Sequence, residues 1–131
     1  MLEAITAMAS VIGDPYLLML IAVTTVLGIV IGVLPGLGAT TGAALLLPFT
    51  LTMSPVNAIA VLATLYVSAT FAGSITAILI NTPGTSAAAA TTFDGFPLAQ
   101  RGEAGRALGI AVVSSTIGGI FSIIVLCLAA P

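Results

Sequence analysis

Three apolar runs, each long enough to cross a bilayer and none interrupted by a charge, commit this chain to a membrane fold. The Asp, Glu, Lys and Arg residues among its 131 positions are Glu3, Asp14, Asp94, Arg101, Glu103 and Arg106; the first two precede the first run and the other four lie between the second and third, so none falls inside a run. An Arg or Asp at the centre of a bilayer costs about 2.5 to 3.5 kcal/mol on insertion scales, so a spanning chain keeps such residues at its margins. A soluble domain spends about a quarter of its residues on charge. This chain spends 5% and is 60% hydrophobic, which leaves no polar shell for water. Its net charge of −2 is too small to argue for nucleic-acid or acidic partners. Cys127, the single cysteine, has no partner in the chain and reads as a small lipid- or core-facing hydrophobe. Glu3 stands where a cleaved signal carries basic residues, and the run starting near Leu17 is too long for a signal core, so a retained helix is expected there.

The first run opens at Asp14-Pro15, a capping residue followed by a proline suited to the first helical position, and continues uncharged from Tyr16 to Leu34. Gly28, Gly32 and Gly36 recur inside it at a spacing that lays a groove along one helix face for close helix approach. The run breaks at Pro35-Gly36-Leu37-Gly38, and Ala39 to Leu51 then continues without charge. That continuation is too short to span and too apolar for an aqueous loop, so it reads as a half-helix or re-entrant segment. Ser54-Pro55 repeats the cap-and-proline signature and begins a second span, Val56 to Ile80, with Tyr66 and Phe71 read as core. This span also breaks, at Asn81 to Ser86, and the small-residue run Ala87 to Thr92 follows. Residues 93–106 hold Asp94-Gly95, Pro97, Gly102, Glu103 and both arginines, and read as a hydrophilic surface loop on the cytoplasmic side. A third run, Ala107 to Ala130, completes an all-α integral membrane fold of about three transmembrane helices and two Pro/Gly-broken half-helices. Residues 1–131 are read as one transmembrane region. Because no polar flank follows the third run, it is read as the N-terminal part of a longer polypeptide.

The pattern stated twice carries the chemistry. Each time a spanning helix meets a charge-free Pro/Gly break, and a short helix opening with hydroxyl residues follows. A half-helix N-terminus presents unpaired backbone N–H groups and about half a positive charge, while unwound carbonyls coordinate cations. Donors are expected from Gly36, Gly38 and Ala39 at the first break and from Gly84, Thr85 and Ser86 at the second. Thr40, Thr41, Thr82, Thr85 and Ser86 add hydroxyls, and Asn81 adds an amide. The plainer alternative is a kink satisfied by a neighbouring helix, which explains one break more readily than two matched ones. Ala87 to Ala90 read as packing surface. The spacing Gly36-x-Gly38-x-x-x-Gly42 follows a full-length apolar helix rather than a short strand, which argues against a nucleotide loop. With no histidine and no paired carboxylates, no enzyme or metal site is expected.

The words Gly32-Val-Leu-Pro-Gly-Leu-Gly-Ala-Thr-Thr-Gly42, Leu47-Pro-Phe49, Gly73-Ser-Ile-Thr-Ala-Ile-Leu-Ile-Asn-Thr-Pro-Gly-Thr85, Asp94-Gly-Phe-Pro97 and Gly105-Arg-Ala-Leu-Gly109 stand in this order. In them the sequence resembles the large membrane subunit of the tripartite tricarboxylate transporter family, from about residue 13 onward. Ala39 departs from the pattern, where proline is expected; this loosens the first turn of the half-helix but keeps its donors. The resemblance implies a multi-pass subunit of the bacterial inner membrane that takes up di- or tricarboxylates by symport. It implies a periplasmic solute-binding protein and a small membrane subunit as partners, and a coupling cation, sodium or proton, in place of any cofactor.

On this reading Gly36 to Thr41 and Asn81 to Ser86 meet near mid-membrane and cradle carboxylate groups and cations. Two readings from other classes stand beside it: a channel or pore-forming subunit built from the same re-entrant segments, and a non-transporting assembly subunit using the Gly28, Gly32, Gly36 stripe. From the sequence, Gly38→Leu or Gly84→Leu is expected to abolish uptake by the complete transporter and leave expression intact, as radiolabelled carboxylate uptake and immunoblotting would measure.

Overall fold

The computed structural model describes residues 13–129; the expectations attached to Glu3, to Ala130 at the end of the third run and to Pro131 after it lie outside them. Five α-helices are described: α1 (Pro15–Val33), α2 (Gly38–Thr50), α3 (Pro55–Ile80), α4 (Thr91–Gln100) and α5 (Ala104–Ala129). A 3-10 segment, Ser86–Ala90, leads into α4. Among the described residues α1, α3 and α5 are long and apolar enough to cross a membrane. The all-α membrane fold expected from the sequence is therefore the one observed.

Local chemistry sets the helix ends. Asp14 Oδ1 accepts from the Tyr16 N–H at 2.9 Å, and Ser54 Oγ accepts from the Asn57 N–H at 3.4 Å, with Pro15 and Pro55 at the first helical positions. Leu34 precedes Pro35, whose ring disfavours a helical residue before it, and Leu34 is extended at φ −80°, ψ 110°. Gly36 and Gly38, at φ +92° and +50°, then turn the chain back. α3 ends differently, on Asn81 in the left-handed region at φ 57°. Asn tolerates this conformation better than most residues.

Close contacts between glycines and their neighbours fix how the helices lie. A Cβ on Gly28 would fall 2.9 Å from the Leu65 carbonyl oxygen and inside Ser68 Oγ, and one on Gly32 would fall 2.7 Å from Ala69 Cα. These contacts advance together along both helices, so α1 and α3 run in the same direction. α2 therefore has to carry the chain back, and α1 and α2 form a helical hairpin whose tip lies beside Ala69, short of the end of α3. Gly42 seats α2 on Ile31 and Leu65. At 13 residues, α2 is about 20 Å long, less than one bilayer core.

The second break doubles back along α3. From Asn81 the chain descends until Gly84 lies beside Gly73, donating its N–H to the Gly73 carbonyl at 3.2 Å. The 3-10 segment and α4 then climb back along α3, with Gly95 so close to Ile78 that a Cβ would lie 2.7 Å from its Cγ1. α5 returns antiparallel. The two hairpins thus approach from opposite ends of α3, and their tips meet between Tyr66 and Gly73.

Three expectations need correction. The hydrophilic stretch 93–106 is not a loop: residues 93–100 belong to α4, 104–106 begin α5, and only Arg101 to Glu103 turn, around Gly102 at φ +82°. Contact of Gly95 with Ile78 holds as helix a segment whose Gly and Pro read as breakers. Tyr66 is not core but 50% exposed. The glycine stripe ends at Gly32, since a Cβ on Gly36 would meet nothing within 4 Å; that residue serves the turn.

The apolar residues that face outward, such as Met19, Val67, Phe121 and Leu128, form the surface expected in lipid. α5 is the extreme case, with Ala107 its one buried residue.

The packing also revises one substitution. A side chain at Gly84 would run into the Gly32 carbonyl and approach Gly73 Cα at 2.9 Å. Overpacking of well-packed sites costs about 1 to 3 kcal/mol and occasionally more. Gly84→Leu and Gly32→Val are therefore expected to sharply reduce the monodisperse yield of the full-length protein in fluorescence-detected gel filtration. Gly38→Leu, in open space, is expected to strain only the turn and retain most of the yield.

Candidate functional site

Where the hairpin tips meet, the two breaks enclose a cavity of about 420 Å³. The first break contributes Gly36, Gly38, Thr40 and Thr41, together with Ala39. The second contributes Gly84, Thr85 and Ser86, flanked by Pro83 and Ala87. Seven of the nine residues singled out from the sequence therefore line one space. Asn81 and Thr82 do not. Asn81 caps α3, its N–H directed at the Thr76 carbonyl, and the Thr82 hydroxyl donates to the Ile80 carbonyl at 3.3 Å. Both are exposed, beyond the point where the chain turns back toward the cavity.

Tyr66 and Thr70 complete the wall from α3. Sequence reasoning missed them, yet a signal was present: Tyr66, Thr70 and Ser74 recur every four residues and so share one face of the helix. Ala87, read only as packing surface, also borders the space.

Backbone donors are plentiful here. The Leu37 position gives α2 no side-chain cap, and the N–H groups of Gly38, Ala39 and Thr40 have no acceptor among the described residues. The N–H groups of Thr85, Ser86 and Ala87 are likewise free, while Ala88 already donates to the Thr85 carbonyl at 3.1 Å. The hydroxyls of Thr40, Thr41, Thr85 and Ser86 make no hydrogen bond among the described residues. Thr85 Oγ1 is fully buried and without a partner. It packs against Gly73, and a buried hydroxyl with no partner costs about 1 to 3 kcal/mol relative to a satisfied one.

No lysine, arginine or carboxylate lines this cavity. Any anion held here meets peptide dipoles and hydroxyls only. Among the described residues there is also no cluster of three His, Cys, Asp or Glu able to hold a metal ion.

A family model described as the tripartite tricarboxylate transporter TctA family matches residues 18–131. A curated relative from Agrobacterium vitis, described as an uncharacterized 52.8 kDa protein in the TAR-I ttuC' 3' region, is 46% identical over 109 residues. The match covers 83% of this chain and 22% of that protein, so the chain spans about a fifth of its relative's length. No solved structure matches the chain.

Thr85→Val separates a structural hydroxyl from a ligand-binding one. Valine keeps the shape and removes the unpartnered oxygen, so the full-length protein without substrate is expected to be as stable as the parent, or more stable by about 1 kcal/mol. Loss of thermal stability in detergent would mean that this hydroxyl bonds within the protein.

Proposed function

The chain belongs to the tripartite tricarboxylate transporter TctA family, and from that premise we propose that it forms part of the membrane subunit of a secondary transporter taking up di- or tricarboxylates. One observation carries the reading. Two charge-free helix breaks, distant in sequence, line one cavity with free N–H groups and uncommitted hydroxyls, and beside it Thr85 Oγ1 is buried without a partner. Carboxylate oxygens accept hydrogen bonds and donate none when ionised, which is the complement of this lining.

Charge then argues for coupling. Each helix N-terminus offers roughly half a positive charge, so the two tips together supply about one. A di- or tricarboxylate brings two or three negative charges, and no Lys or Arg lines the cavity. Co-bound sodium or protons make up the difference, so uptake draws on a cation gradient. In this reading α2 and the segment from Asn81 through α4 are re-entrant hairpins within the bacterial inner membrane, and Gly36, Gly38, Thr40, Thr41, Gly84, Thr85 and Ser86 hold the substrate and ion. A periplasmic solute-binding protein delivers the carboxylate and a small membrane subunit completes the assembly, which transports its substrate without chemical change.

Reconstituted full-length transporter, with its binding protein, is expected to accumulate a tricarboxylate such as citrate, or another carboxylate found by screening, only under an inward sodium or proton gradient. Accumulation with both gradients collapsed would refute coupling. Loss of a hydrogen bond to a charged group costs about 1.5 to 3 kcal/mol, so Thr85→Val is expected to lower uptake about 10- to 100-fold at subsaturating substrate, with Thr85→Ser largely restoring it.

A further inference from the structure

Tyrosine in a membrane helix usually sits at the interface, where its ring enters the apolar layer and its hydroxyl stays in water. Tyr16 follows that rule, at the second position of α1 beside the capping Asp14. Tyr66 does not. It is the twelfth of the 26 residues of α3, so its Cα lies about 17 Å from one end of the helix and about 21 Å from the other. That places it well inside a bilayer core of about 30 Å, out of reach of the headgroups. Its hydroxyl makes no hydrogen bond among the described residues. A hydroxyl left unpaired in hydrocarbon is costly, so this one calls for water or a ligand in the space it borders.

That space is the cavity between the breaks. Because α2 runs antiparallel to α3 and seats Gly42 on Leu65, its first turn, four residues earlier, lies about 6 Å further along α3, level with Tyr66 to Ala69. The free N–H groups of Gly38, Ala39 and Thr40 therefore stand at the same depth as this turn of α3. Of the two hydroxyls that α3 brings to the cavity, Thr70 Oγ1 already donates to the Tyr66 carbonyl at 2.7 Å. Tyr66 is left as the residue of α3 in this wall with a hydroxyl proton to give.

A phenol and several backbone N–H groups at one level suit an acceptor with more than one oxygen. An ionised carboxylate has two, with about four lone-pair sites, and its hydrogen bonds are the stronger, charge-assisted kind. A cation would gain the phenol oxygen alone and would face the positive end of α2. We propose that Tyr66 contacts the substrate and helps determine specificity, its phenol donating to a carboxylate oxygen that the first turn of α2 also holds; this rests on the break cavity being the transport site.

The test uses the full-length transporter with its binding protein. Uptake of citrate, malate and succinate, each in turn, identifies an acid that the parent accumulates. In Tyr66→Phe, which keeps the ring and removes the donor, the KM for that acid is expected to rise about 10- to 100-fold, with the maximal rate and the gel-filtration yield close to the parent's. With 3-fluorotyrosine placed at position 66 by nonsense suppression, the same acid is expected to shift the fluorine resonance saturably, while sodium chloride of equal ionic strength leaves it in place. A parental KM in Tyr66→Phe, or a resonance that an accumulated acid does not move, would overturn the proposal. So would a loss confined to maximal rate or to yield, which would make Tyr66 a packing residue. Failure of the underlying reading would look different: unchanged uptake by Gly38→Leu would remove the break cavity as the transport site, and this contact with it.

Discussion

Three glycines on three separate elements hold this structure together at one point. Gly32 ends the tight contact of α1 with α3, Gly73 lies on the opposite stretch of α3, and Gly84 is the residue of the second break that reaches them. A Cβ on Gly73 would lie 2.7 Å from Thr85 Oγ1 and 2.8 Å from the Thr85 nitrogen, and a Cβ on Gly84 would meet both Gly32 and Gly73. Backbones can approach this closely only where side chains are absent. In lipid, where there is no hydrophobic force between apolar helices, close packing and backbone hydrogen bonds take its place. The Gly84 N–H to Gly73 carbonyl bond supplies one such link. Without this contact the hairpin tips have no reason to meet.

From that contact follows the lining of the cavity between the breaks. The tips arrive with helix N-termini facing inward, so backbone donors converge without any buried cation. A fixed Lys or Arg in the same place would be costly to insert, a cost that peptide dipoles avoid. Along α3 the face bearing Tyr66, Thr70 and Ser74 turns away from the glycine face, so the helix that anchors the break at Gly73 also walls the space outside it. The Thr70 and Ser74 hydroxyls donate to the Tyr66 and Phe71 carbonyls of the same helix.

Much of this was legible in the residues, and the failures have identifiable causes. Cap-and-proline signatures at Asp14-Pro15 and Ser54-Pro55 gave helix starts within a residue of those observed, because capping is a local interaction. The breaks were equally readable at Pro35 to Gly38 and at Asn81 to Ser86. That Asn81 and Thr82 lie outside the cavity was not readable, because both residues fit two roles by chemistry alone, ligand or helix terminator, and only the direction of the chain after Ile80 separates them from the lining. The loop expected over 93–106 failed for the converse reason, since Gly95 looks like a breaker until Ile78 is packed against it. Tyr66 was read as core because an aromatic residue within an apolar run usually is.

By itself, then, the amino-acid order determined the solvent, the number of long apolar helices, where they start and where they break, since each depends on transfer energies and on dihedral limits that act over a few residues. It did not determine that α1 and α3 run the same way, that the tips of two hairpins meet from opposite ends of α3, or that Gly36 turns the chain while Gly32 packs it. Those were decided by the tertiary structure. Identical glycines become distinguishable only when a second backbone arrives within 3 Å of one and leaves the other in open space.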